Sequence, residues 1–230
     1  MNNSKRLVYG LSLTILVFAL ANYMSRKLAW HTIFIPTSFV AHSFMLLFSI
    51  GLILILKKEV DYKISLPKFK QSLKPFFFGL LMPIIVNVPL SIIGQLLGNR
   101  GEIHPVFTTM TPLQVFVFVF IYASIAEEFL FRGFLMNILK PLKAKGIRIF
   151  NRKISIPVLV SAVVFGLAHL ILITSGASAF FIIQTVIFTT FLGLVAGYYQ
   201  EKYDNHAFAI IVHMGGNMLG VITSFMFHLI

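Results

Sequence analysis

The sequence predicts an all-α fold, a polytopic membrane helical bundle with about seven transmembrane helices. Three observations carry that prediction. The 230 residues are 58% hydrophobic and 11% charged, with a mean hydropathy of +0.90, whereas a soluble domain carries about 25% charged residues. Seven apolar runs follow one another, and several reach the roughly 20 residues that a helix needs to cross a bilayer. Lysine and arginine gather in the gaps between alternate runs, as topology signals do.

The runs fall near 7–24, 33–56, 75–97, 112–138, 157–174, 178–199 and 207–229. The first follows Lys5 and Arg6 and contains Ala19-Leu20-Ala21, which gives it the look of a signal peptide. It continues to Met24 with six further runs behind it, so an uncleaved first helix is expected. The longest gaps are 57–74 and 139–156, each with six basic residues. Residues 1–111 read as N-terminal transmembrane helices and loops, and 112–230 as a separate set of core helices.

Fifteen Lys and Arg fall on one side of this arrangement and three (Arg26, Lys27, Arg100) on the other, with Arg132 inside a run. That asymmetry predicts a cytoplasmic N-terminus and a C-terminus on the opposite side. The chain has no cysteine, which excludes disulfides, thiolate nucleophiles and cysteine-zinc sites. The net charge of +12 lies in short loops, where it suits anionic lipid headgroups rather than nucleic acid.

The fourth run contains ASIAEEFLFRGF, residues 123–134. Each charged residue at a helix centre costs roughly 2.5–3.5 kcal/mol on the insertion scale. Glu128 and Arg132 are four apart, on one helix face, and can pair. Glu127 points about 100° away and has no partner in its own helix. The fifth run contains Phe165-Gly-Leu-Ala-His169, and the seventh His213-Met-Gly-Gly-Asn217, with His213 and Asn217 on one face. Counted from the basic-loop ends, Glu127, His169, His213 and Asn217 lie at depths of about 9–17 Å at 1.5 Å per residue. They can therefore line one cavity, expected in the cytoplasmic half. Gly166, Ala168, Gly215 and Gly216 beside them permit close helix approach.

A buried carboxylate and an imidazole sharing a water can deprotonate it. A second imidazole and an amide are donors suited to a developing oxyanion. The same set (Glu127, His169 and His213) also matches the ligand pattern of a catalytic zinc or other divalent metal, and residue types alone leave the two open. Other intramembrane protease chemistries lack their motifs: there is no His-Glu-x-x-His and no Gly-x-Ser-x-Gly, and Asp61 and Asp204 both fall in loops. A buried ion pair that only fixes helix packing is the bland alternative for Glu128 and Arg132.

Taken together, Glu127-Glu128-x-x-x-Arg132, Phe165-x-x-x-His169 and His213-x-x-x-Asn217 resemble the motifs of the CAAX-protease and bacteriocin-processing (CPBP, also Abi or type II CAAX prenyl endopeptidase-like) membrane proteins. The resemblance covers residues 112–230. It implies that Glu127 and His169 activate water, that His213 and Asn217 stabilise the oxyanion, and that Glu128, Arg132 and Phe165 support the site. Such proteins are usually catalogued as metalloproteases, and a metal-independent glutamate mechanism is also proposed for them; some have eight helices.

The expected function is an intramembrane endopeptidase acting on a membrane-associated peptide or protein near the cytoplasmic face of a bacterial plasma membrane. The family name points to prenylated CAAX proteins. In a bacterium, pheromone precursors, bacteriocin-type peptides or membrane-anchored regulators are the expected substrates. A non-catalytic membrane scaffold or bacteriocin-immunity protein is the competing expectation, and a proton-coupled transporter using Glu127 and His169 the third. The other histidines carry no expected role: His31 is an interfacial anchor, His104 and His206 fall in loops, His228 lies at the far end, and His42 sits on an apolar helix without an acidic partner.

Overall fold

The computed structural model describes residues 1–99, 101–102, 104, 106–149 and 151–227; Arg100 and His228 lie outside the described residues. Seven described helices are long and apolar enough to cross a membrane, as expected. They are α1 (Asn3–Leu28), α2 (Thr37–Ile55), α3 (Phe69–Leu96), α4 (Pro112–Met136), α5 (Ile156–Ser175), α6 (Ala179–Tyr203) and α7 (Ala207–Phe227).

Local sequence explains where several of them begin and end. Asn2 Oδ1 accepts the Lys5 amide at 2.9 Å and caps α1, and Ser178 Oγ accepts the Phe181 amide at 3.2 Å at the start of α6, both ordinary N-cap bonds. A capping box between Thr111 and Gln114 opens α4, and Asp204, at φ 48°, closes α6 in the left-handed region. Three helices outrun their apolar stretches: α1 extends past both ends of its run to include Lys5, Arg6, Arg26 and Lys27, α3 begins at Phe69, taking in Lys70 and Lys74, and α6 runs on through Lys202. Hydropathy marks only the part of a helix that suits lipid, while Lys, Gln and Leu carry the helix into water.

The basic gap 139–156 holds an unexpected element. Strands β1 (Gly146–Ile149) and β2 (Arg152–Ser155) form an antiparallel hairpin with Gly146 opposite Ser155 and Ile149 opposite Arg152. Four-residue strands are too short for alternation to stand out in a polar loop.

Helix α4 is the most buried of the spans and touches α1, α2, α5, α6 and α7. A charged helix belongs there, because the bundle interior supplies the partners that lipid does not. Its turns are wide (π-helical) over Val115–Ala123 and Phe129–Met136, with an α-helical segment at Ser124–Glu128 between them. Such local widening often marks functional sites. Side chains from elsewhere reach carbonyls within the wide turns: Gln200 Nε2 donates to Arg132 O at 3.0 Å and Asn217 Nδ2 to Val119 O at 3.2 Å.

Apolar cores lie on both sides of α4. Phe131, Phe134, Leu135 and Ile138 pack with Val17, Met45, Ile53 and Phe165; Leu192, Ala196, Phe208 and Val212 join α6 to α7. The α3–α7 pair approaches through glycines. A Cβ at Gly79 would overlap the Val212 carbonyl, and one at Gly215 the Phe76 carbonyl, the small-residue packing that membrane helices favour.

Candidate active site

The α-helical segment of α4 presents Glu127 and Glu128 in different directions. Glu128 and Arg132 are fully buried, and Arg132 Nη1 donates to Glu128 Oε1 at 2.8 Å, the pair that the four-residue spacing predicts. The guanidinium also lies 4.5 Å over the Phe165 ring, a cation–π contact. Gly193 on α6 makes room for it, since a Cβ there would overlap Arg132 Nη2.

Glu128 has a second task, which the spacing did not reveal. His213 Nδ1 lies 2.9 Å from the same Oε1, and a carboxylate held by arginine accepts, so Nδ1 carries the proton. The other ring nitrogen, Nε2, then points at Glu127, 3.8 Å from its Oε2. That separation exceeds a direct hydrogen bond and suits a bridging water.

His169 is fixed by its own helix. Its Nδ1 donates to Phe165 O at 3.0 Å, because a carbonyl can only accept, which leaves the neutral ring's Nε2 lone pair free. The Phe165 ring sits edge-on against His169 and His213, with centroids 5.1 and 5.4 Å apart. Asn217 Nδ2 donates to Val119 O and to Ser124 Oγ at 3.2 and 3.0 Å, so both amide hydrogens are directed at α4.

One member of the cluster escaped the sequence reading. His42, on α2, was expected to lack an acidic partner, yet its Nε2 lies 3.2 Å from Glu127 Oε1. The two residues are 85 apart in the chain, too far for any local motif to join them. The only signal was an imidazole in an otherwise apolar membrane segment, which is itself a reason for suspicion. His104 and His206, expected in loops, are also more engaged. His206 is buried, its Nδ1 3.0 Å from the Tyr62 hydroxyl, and burial pushes it down to about 4. His104 is likewise pushed down to about 4, by burial and then by the neighbouring His169, so it is neutral at physiological pH.

His42, Glu127, His169, His213 and Asn217 line one cavity of about 550 Å³, within the roughly 300–1,000 Å³ of small-molecule sites. The same cavity extends to Gln95 in the last turn of α3 and to Glu102, His104 and Ser178, beyond the ends of α3 and α5. Zinc ligands sit about 2.0–2.2 Å from the ion. Among the described residues no three His or carboxylate side chains converge closely enough to hold a metal. Glu127, His169 and His213 share one cavity wall without forming such a group.

No curated protein and no solved structure matches the chain. A family description does match: the type II CAAX prenyl endopeptidase Rce1-like family, over residues 109–219. The match takes in α4, α5, α6 and most of α7, with Glu127, His169, His213 and Asn217, and leaves His42, Gln95 and Glu102 outside it. Residues 109–219 thus form an Rce1-like type II CAAX prenyl endopeptidase family domain, and membership of that family implies an intramembrane protease.

Proposed function

We propose that this chain is an intramembrane endopeptidase in which Glu127 activates the attacking water. The observation that carries the reading is the position of Glu127 on the cavity wall: one carboxylate oxygen meets His42, while the other faces His213 across a gap of 3.8 Å. A water in that gap has Glu127 to take its proton, and the free Nε2 of His169 is a second acceptor on the same wall.

The peptide carbonyl develops negative charge as the water attacks. His213, with Nδ1 committed to Glu128, donates to the oxyanion from Nε2 when that nitrogen also carries a proton, and the Glu128–Arg132 pair holds the ring in place. An oxyanion at Asn217 takes over one of the hydrogens now given to Ser124 or Val119. The proton collected by Glu127 then passes to the leaving amine. No step in this sequence needs a metal, and the substrate is a membrane-associated peptide or protein; the family name makes prenylated CAAX-type proteins one class to test.

Purified protein in detergent should hydrolyse a suitable peptide, and Glu127→Gln should lower the rate by roughly 10²–10⁴-fold, the range of a general base, with an unchanged melting profile. Undiminished cleavage by that variant rejects the assignment. Comparing the membrane proteomes of wild-type and Glu127→Gln cells identifies the substrate as an accumulating precursor. Full rescue of a deletion phenotype by Glu127→Gln supports the non-catalytic scaffold instead.

A further inference from the structure

The two ends of the bundle are built differently. At the end of the basic loops, the chain between α2 and α3 is laid across the helix ends and tied down. Arg6 donates to Glu59 O and Ile138 O at 2.8 and 3.1 Å, and Lys140 bridges Asp61 and Asp204 at 2.5 and 2.7 Å. Asn205 pairs with the backbone of Ser65 through both ends of its amide. Between this layer and Glu127 lie Leu130, Phe131, Arg132 and Phe134, each no more than 1% exposed. That end is a closed wall.

The opposite end is open. The exposed residues that line the cavity are Gln95, Gly101, Glu102 and Ser178. All belong to the last turn of α3, the α3–α4 connection or the residue before α6, which the chain's alternation puts opposite the basic loops. Glu102 Oε2 accepts the Ser178 amide at 3.1 Å and joins two of these connections at the rim. His104 and Phe107 continue the wall inward from there. Among the described lining residues there is no Lys or Arg, and Glu102 and Glu127 are the carboxylates.

We propose that the cavity is loaded from the face opposite the basic loops, and that its occupant is an extended, neutral or cationic polypeptide segment exposed on the extracytoplasmic side. The excess of Lys and Arg in the closed-end loops orients that end to the cytoplasm, so an open path to Glu127 runs from outside. This replaces the expectation of cleavage near the cytoplasmic face. The nature of the occupant rests on the peptidase reading; the direction of entry does not.

The absence of cysteine permits a direct test with single cysteines in the full chain. Ala123→Cys stands one turn before Glu127 on the cavity wall, Ser178→Cys at the rim and Lys143→Cys in a basic loop. The probes are the membrane-impermeant trimethylammonioethyl (cationic) and sulfonatoethyl (anionic) methanethiosulfonates, applied to right-side-out and inverted vesicles. Ala123→Cys and Ser178→Cys should react from the right-side-out face and Lys143→Cys from the inverted face only. The cationic reagent should reach Ala123→Cys roughly tenfold faster than the anionic one, as expected of a negatively charged cleft. Reaction of Ala123→Cys from inverted vesicles alone overturns the proposal, as does labelling only by an apolar, permeant maleimide, which signals lateral entry from the bilayer. A faster anionic reagent overturns the charge preference. Thr185→Cys, on the α6 wall of the cavity, replaces Ala123→Cys if that variant does not fold. Labelling needs no turnover, so outward access in a protein without peptidase activity rejects the peptidase reading alone.

Discussion

Glu127 and Glu128 are neighbours in the chain, yet their surroundings differ in kind. Glu128 is enclosed with Arg132, His213 and the Phe165 ring, whereas Glu127 keeps a cavity face and meets His42. Breaking a buried ion pair by removing one partner costs about 3–5 kcal/mol, because the other charge is left uncompensated. Glu128→Gln is therefore expected to lower the melting temperature in detergent substantially, and to reduce activity through loss of the His213 orientation. His42→Phe should separate activity from stability. Loss of the hydrogen bond that orients the Glu127 carboxylate should lower kcat by roughly ten- to hundredfold, while KM stays close to wild type and melting falls much less than in Glu128→Gln. A large stability loss in His42→Phe with proportionate loss of binding would reduce His42 to a packing residue.

The elements are held by contacts that lipid does not compete for. Apolar side chains gain little by leaving hydrocarbon for protein, so close backbone approach carries more of the association. Gly215 against Phe76 and Gly79 against Val212 are where α3 and α7 meet. Gly215→Val cannot be accommodated by a side-chain shift, because the obstacle is a backbone carbonyl. We expect that variant to lose most of its folded, monodisperse fraction on size-exclusion chromatography, whereas Gly51→Ala, with nothing near the added carbon, should behave as wild type. The Glu128–Arg132 pair was legible because it lies within one helical turn. The hairpin at Gly146–Ser155 and the wide turns of α4 were not, since neither leaves a periodicity that stands out over so short a length.

At the scale of the whole molecule, one ionic cluster joins three separate connections. Lys140 and Lys63 hold Asp204, and Lys140 also holds Asp61. Hydrogen bonds from Lys140 and Lys63 hold the Asp204 carboxyl below its ordinary range, and those from Asp204 and Asp61 raise Lys140 against its partial burial. Asp204 thus stabilises the fold above its unfolded value of about 3.9, and that contribution fades as pH falls through its lower folded value. Lys140 contributes below its unfolded value of about 10.4, and its share is lost as pH rises through the higher folded value. Melting temperature in detergent should be level between roughly pH 5 and 9 and fall on either side; in Lys140→Ala the acid limb should flatten. Both groups are partly exposed, so added salt should weaken the effect.

Composition and the spacing of apolar runs determined by themselves that the chain is a seven-helix membrane bundle, because the bilayer imposes one length and one polarity on every span. Local spacing also determined the Glu128–Arg132 pair and the three motifs, all of which lie within residues 109–219, the span of the family match. The partners of Glu127 across the bundle, the second task of Glu128 and the end at which the cavity opens were decided only by the tertiary structure. Each depends on which helices become neighbours, and that choice is made by packing between segments as distant as His42 and Glu127, whose separation in the chain carries no record of it.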